Sequence, residues 1–217
     1  MRCIARLWIS AAFSTCLVAG IPMLALAQTD VLATCRVEGE GQLAACTAVL
    51  AQPSLDPKDR VEALLFHAEA IRRTGDKLAT LKDLEAAKAL APTDANVLIH
   101  FAKYHYDNRE LDISESYIRQ AAEVAPNNPV PQNVWGKIYM MRDDFPHAIE
   151  KFKAAIALDP NHANSHWNLG NAYYKTGRFA EALKEYETCD GLYPAGRMKT
   201  NAQMMIVDVR QKLGLAQ

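Results

Sequence analysis

No sustained alternation of β-branched and polar residues runs through this 217-residue chain, so a sheet-based fold has no local support. An excess of one charge sign is missing too. The formal net charge is -1, and setting aside Arg2 and Arg6 of the first segment leaves 22 basic against 25 acidic side chains, a net of -3. Nothing in that balance recruits a nucleic acid. The chain has no Gly-rich phosphate loop, no G-x-S-x-G elbow, no C-x-x-C pair and no H-E-x-x-H. His162 and His166 stand four apart, but His162 falls in a turn and His166 at a packing position, so they do not read as metal ligands. His100 and His105 are five apart and point to different faces of a helix. The chain therefore reads as a non-enzyme with no cofactor and no metal. Half of its residues are hydrophobic, enough for a continuous core in an all-α protein.

What is present is a ladder. Pro92, Pro126, Pro160 and Pro194 are 34 residues apart, and each follows a small, apolar run that reads as a helix end. The fullest unit, 163–196, carries His166, Leu169, Gly170, Tyr173, Ala182, Tyr186 and Pro194. Unit 129–162 has Gln132, Trp135, Gly136, Tyr139, Ala148, Phe152 and Pro160 at the same offsets. Looser copies span 95–128, with Leu98, Phe101, Ala102, His105, Ser114, Ile118 and Pro126, and 61–94, with Leu64, His67, Ala68, Ile71, Thr80, Leu84 and Pro92. This spacing resembles the tetratricopeptide repeat family, W-x2-L-G-x2-Y followed by A-x3-F and P. The resemblance implies a right-handed superhelical α-solenoid of four helical hairpins.

The pattern has a physical basis. Ala68, Ala102, Gly136 and Gly170 fall where the first helix of each hairpin approaches the second, and a large side chain there would part them. Thr80, Ser114, Ala148 and Ala182 are the reciprocal small positions, while Ala87, Ala121, Ala155 and Cys189 meet the following repeat. Gly75 and Gly177 are placed to end first helices in the left-handed conformation. Pro146 lies in the first turn of a second helix, where it is tolerated.

Outside the ladder, Arg2 and Arg6 precede an apolar stretch, Leu7 to Leu26, that ends in Ala25-Leu26-Ala27. Residues 1–27 read as a secretory signal cleaved after Ala27; a competing reading keeps the segment as an anchor. Either way the repeats are exported, to the periplasm if the source is a Gram-negative bacterium. Residues 28–60 form a tail and a lone capping helix, Gln42 to Ala51. A Cys35–Cys46 disulfide would tie the two together and contribute about 3 kcal/mol in the chain-entropy account. The alternative is that Cys46 is a small buried residue and Cys35 a loose thiol. Residues 197–217 form a C-terminal capping helix with an apolar stripe of Ala202, Met205, Ile206, Val209 and Leu213, leaving Met204 and Val207 off the stripe.

In tetratricopeptide arrays the first helices line a concave groove, and their second, fifth, sixth, ninth, twelfth and thirteenth positions face into it. Carried onto this chain, the resemblance implies Glu62, Leu65, Phe66, Glu69, Arg72 and Arg73, then Asn96, Ile99, His100, Lys103, Tyr106 and Asp107. The third repeat supplies Val130, Asn133, Val134, Lys137, Met140 and Met141, and the fourth Asn164, Trp167, Asn168, Asn171, Tyr174 and Lys175. Asparagines suit a peptide backbone, and Trp167, Tyr106 and Tyr174 suit anchors. Basic residues outnumber acidic ones, which implies a mildly positive groove and an acidic peptide of an envelope protein. A chaperone-tail clamp is incomplete, because Met198 and Ala202 stand where its last two bases belong. Two functions follow as expectations: an adaptor that binds a protein or peptide in this groove, or a structural, self-associating subunit of a membrane-associated envelope complex.

Overall fold

Residues 32–37, 39 and 41–215 are described by a computed structural model. The segment read as a secretory signal, with its expected cleavage point at Ala27, lies outside the described residues. A short helix, α1, covers residues 32–36, followed by α2 (Gln42–Leu50). Four hairpins come next: α3 (Pro57–Arg72) with α4 (Lys77–Leu90), α5 (Ala95–Asp107) with α6 (Leu111–Val124), α7 (Pro129–Met141) with α8 (Phe145–Leu158), and α9 (Ala163–Lys175) with α10 (Phe179–Leu192). The last element is α11 (Arg197–Lys212). No strand occurs among the described residues.

The proline ladder sets the helix ends. Leu90, Val124, Leu158 and Leu192 each close a second helix two residues before Pro92, Pro126, Pro160 and Pro194, since the residue ahead of proline is pushed out of the α region. Five helix starts are capped by side chains. Asp56, Asp76, Asp94, Asn128 and Asp144 each accept a bond from a backbone N–H of the following first turn, at 2.8 to 3.3 Å. The Asp56–Pro57 pair starts α3 four residues ahead of Val61 and makes it a 16-residue helix.

The turn after each first helix requires a left-handed residue. Gly75 and Gly177 fill it at φ +87° and +74°, as their placement suggested, but at the same step Arg109 and Asp143 adopt φ +63° and +56°. An aspartate tolerates this conformation; the arginine carries a strain of about 1–2 kcal/mol.

Small residues set the spacing within hairpins. A Cβ on Gly136 would lie 2.5 Å from the Phe152 ring, and one on Gly170 would lie 2.7 Å from the Tyr186 ring. Thr80, Ser114, Ala148, Ala182, Ala87, Ala121, Ala155 and Cys189 are all buried. Burial, with Asp190 beside it, pushes the Cys189 thiol up to about 12, so this cysteine is an inert packing residue.

At the N-terminal end the chain is more organised than a tail with one helix. Leu32 and Cys35 of α1 are buried with Cys46, Val49, Leu55 and Ala63. The Cα atoms of Cys35 and Cys46 are 4.8 Å apart, within reach of a disulfide. At the other end α11 packs on α10 and buries Ala202 and Val209, with Met205 and Ile206 partly covered. Leu213 departs from the expected stripe: it lies just past Lys212, the last residue of α11, and is exposed.

Candidate concave interface

First helices meet across repeats, α3 with α5, α5 with α7 and α7 with α9, whereas the second helices make no comparable contacts with one another. The array therefore curves with the first helices inside. Their inward positions form one continuous surface, but depth varies along it. Leu65, Ile99, Asn133 and Val134 are buried, so these four expected lining residues belong to the seams between helices. Register assigns an angle around a helix, and the next helix then covers part of that angle.

The polar lining is cross-linked to itself. Arg36 of α1 donates to both carboxylate oxygens of Glu62, at 2.7 and 2.8 Å. Arg73 donates to the Gln42 side chain, which in turn donates to the Cys35 carbonyl at 2.9 Å. Arg72 binds Glu69 within its own helix and Asp107 on α5. Burial alone would raise the Glu69 carboxyl, but the bonds and charge of Arg72, aided by Lys103 and His100, bring it down to about 2. The ammonium of Lys137 on α7 sits 4.4 Å over the Tyr106 ring of α5. Its burial pulls its pKa below the ordinary lysine value, against the pull of Asp107 and with the help of Lys103. On α9, Asn168 donates to Asn133 Oδ1 at 2.9 Å, and Ser165 donates to the same oxygen at 3.3 Å.

Two groups of expected site residues are thus brought together. Lys103, Tyr106 and Lys137 gather around Glu69, Arg72, His100 and Asp107 at the centre of the array. Asn133 and Asn168 join Trp167, Asn171 and Tyr174 toward the C-terminal end. Trp167 is half-buried, its ring centroid 5.4 Å from Tyr186, while Asn171 accepts a bond from the Tyr186 hydroxyl at 2.8 Å. Asn164 is exposed and accepts from Tyr193 at 2.5 Å; Lys175 is exposed. Tyr174 packs edge-on to Phe179 at 5.6 Å, with Lys212 of α11 at the same distance above its ring.

Pairing leaves the sum of charges on this face unchanged and alters only where charge is available: Arg72 and Glu62 are engaged by charged partners and Arg73 by an amide, and Lys137 is an inward base whose burial an anion would offset.

Among the features that escaped the sequence reading, two lie near the N-terminal end. The Arg36–Glu62 pair comes from outside the repeat register, where no spacing rule applies. The second is a line of side chains: Thr47 Oγ1 lies 3.0 Å from His67 Nε2, and His67 Nδ1 lies 2.6 Å from Asp83 Oδ2. Its order is that of a nucleophile, base and acid. The Thr47 hydroxyl, however, donates to the Leu43 carbonyl at 2.7 Å within its own helix. The line stitches α2 to α3 and α4. His166 plays a similar part in the last hairpin: buried at 7% exposure, it contacts Glu185 at 2.7 Å and the Pro160 carbonyl at 3.0 Å, and the Glu185 bond raises its pKa.

The tetratricopeptide-repeat family profiles match residues 136–177 and 163–195. Among curated proteins, the peroxisomal targeting signal receptor of Kluyveromyces lactis is 28% identical over 108 residues, which cover 50% of this chain and 19% of the receptor. The match thus spans about a fifth of that relative's length. A tetratricopeptide-repeat protein of Thermus thermophilus shares the fold with a TM-score of 0.69 at 18% identity, covering 86% of this chain and 96% of that one. The first tetratricopeptide-repeat domain of Spaghetti, bound to the HSP90 peptide SRMEEVD, gives 0.51 at 22% identity over 56% of this chain and 94% of its own.

Proposed function

We propose, for a chain whose residues 136–195 match tetratricopeptide repeats and whose described residues take the fold of a tetratricopeptide solenoid, a non-enzymatic role: a scaffold that holds a peptide segment of a partner protein against its concave face. The observation that carries this is the set of partly exposed aromatic and amide side chains that α9, a first helix, presents: Trp167, Asn168, Asn171 and Tyr174. Two aromatic rings supply area with little rotamer entropy to lose, and the amide atoms not used within the described residues, Asn168 Oδ1 and Asn171 Nδ2, can bond a backbone of any sequence. Lys137 favours an acidic segment, since an anion beside it offsets both its burial and its cationic neighbours. A peptide-bound neighbour of the same fold is consistent with the mode.

The test is capture from the native source by a photoreactive group at Tyr174, with a control at Glu150 on α8, whose side chain is 68% exposed. One protein captured from Tyr174 alone, and lost about 30-fold with Trp167→Ala plus Lys137→Glu while the far-UV circular dichroism keeps its helical signal at the assay temperature, is the expected result. A second reading rests on Met204 and Val207 of α11, which are 66% and 53% exposed. Capture of the chain by itself, abolished by Met204→Lys with Val207→Lys, would replace the scaffold by a self-associating subunit of an envelope assembly.

The reading includes export, with cleavage after Ala27 and a Cys35–Cys46 disulfide. It is supported by the Arg2, Arg6 and Ala25-Leu26-Ala27 pattern and by the 4.8 Å separation of the two Cα atoms. Thiol counting checks both points at once. Unfolded protein from its native source is expected to show one reactive thiol, Cys189, and three after reduction. Three both before and after reduction would remove the disulfide; five after reduction, with Cys3 and Cys16 counted, would mean the leader is retained.

A further inference from the structure

Where α3 and α5 diverge at their N-terminal ends, the concave surface opens into a cleft of about 410 Å³, a size suited to one large side chain and its flanking backbone. Its floor is apolar: Val61, Leu65 and Phe66 of α3, with Leu90 and Ala91 behind. Both carboxylates at its edge are already engaged. Glu62 holds Arg36, and Asp94 accepts from the Asn96 and Val97 backbone N–H groups as the cap of α5. The exposed Lys58 is then a rim charge for which no acidic partner occurs among the described residues. His100 lines the inner wall with its side chain 17% exposed. Among the described residues it makes no hydrogen bond, and Glu69 Oε2 is 3.9 Å from its Nδ1.

We infer that this cleft receives a bulky apolar side chain of the partner peptide, with the adjoining backbone bonded to His100 and Asn96 and an acidic neighbour beside Lys58. The inference rests on the scaffold reading and adds a second anchor point at the opposite end of the groove from Trp167. Apolar floor, polar mouth and single positive rim together select this chemistry. A purely acidic segment leaves the floor in water, and a basic neighbour meets Lys58. Burial, then the charge of Lys103, hold the His100 pKa down at about 4 against Glu69. The ring is therefore neutral at pH 7, with one nitrogen to donate and one to accept.

Capped dipeptides test this on the whole mature chain, read by methyl NMR of Val61, Leu65 and Leu90 and by the His100 ring signal. Leucyl-glutamate is expected to shift all four saturably, leucyl-lysine to bind about 2–5-fold more weakly, and glycyl-glutamate to shift none. Asn96→Trp, at an exposed position on the mouth, is expected to abolish the shifts, and Lys58→Glu to invert the preference between the two leucyl peptides. Both replace exposed residues and leave the core intact. No saturable shift, equal shifts from glycyl-glutamate, or an unchanged response in Asn96→Trp would each overturn the cleft. Capture from Tyr174 separates the two ideas: if it persists while the dipeptides fail, only the cleft falls, and if both fail the scaffold falls with it.

Discussion

Gly136→Ala is expected to destabilise the protein by about 2 kcal/mol, although the same exchange in an open helix stabilises by about 1 kcal/mol. The added Cβ would sit 2.5 Å from Phe152 Cε1 and 2.6 Å from Cδ1, and Phe152 is itself fully buried, so the ring has no free space to enter. The earlier repeats show how the conflict is relieved. At the position of Gly136 they carry Ala68 and Ala102, and at the position of Phe152 they carry Leu84 and Ile118; all four of these residues are buried. Alanine on the first helix goes with a branched aliphatic residue on the second, and glycine goes with an aromatic ring. Introducing Gly136→Ala into a Phe152→Leu chain is therefore expected to be near neutral, a coupling of about 2 kcal/mol in a double-mutant cycle read by urea unfolding. Equal effects in the two backgrounds would show that the hairpin spacing is set by something other than this contact.

Arg72→Gln is expected to be comparably damaging, by about 3 kcal/mol at pH 7, since it leaves the Glu69 carboxylate, 18% exposed, without its guanidinium and removes the tie to Asp107. The loss should depend on pH. With Arg72 present, Glu69 is held at about 2 against an ordinary 4.5, so its contribution is complete above pH 4.5 and disappears as pH falls toward 2. Urea unfolding of both proteins should give a gap that is widest at pH 7 and narrows steadily below pH 4.5. A gap that stays constant down to pH 3 would mean that the guanidinium acts through packing alone.

The repeat architecture was legible because it is written in short-range terms. A proline every 34 residues stops a helix locally, and Gly136 and Gly170 mark a contact between neighbours in one hairpin. The site was legible only in outline. Trp167, Asn168 and Tyr174 were assigned to the inner surface by register, but Leu65, Ile99, Asn133 and Val134 were assigned by the same register and are buried, because adjacent first helices close over them. Pairs such as Arg36 with Glu62, or Arg72 with Asp107, join residues 26 and 35 apart, and spacing within one helix carries no information about them. Arg109 escaped because a left-handed arginine leaves no mark in the residue type.

Each hairpin is closed by small residues packed against large ones, while the seams on the inner face are held in part by a cation over a ring at Lys137 and Tyr106 and an amide pair at Asn133 and Asn168. In mechanical terms, any bending of the solenoid would fall on the three seams between first helices, where no glycine–aromatic contact lies. A partner gripped at both ends would therefore load the seams before it loaded any hairpin.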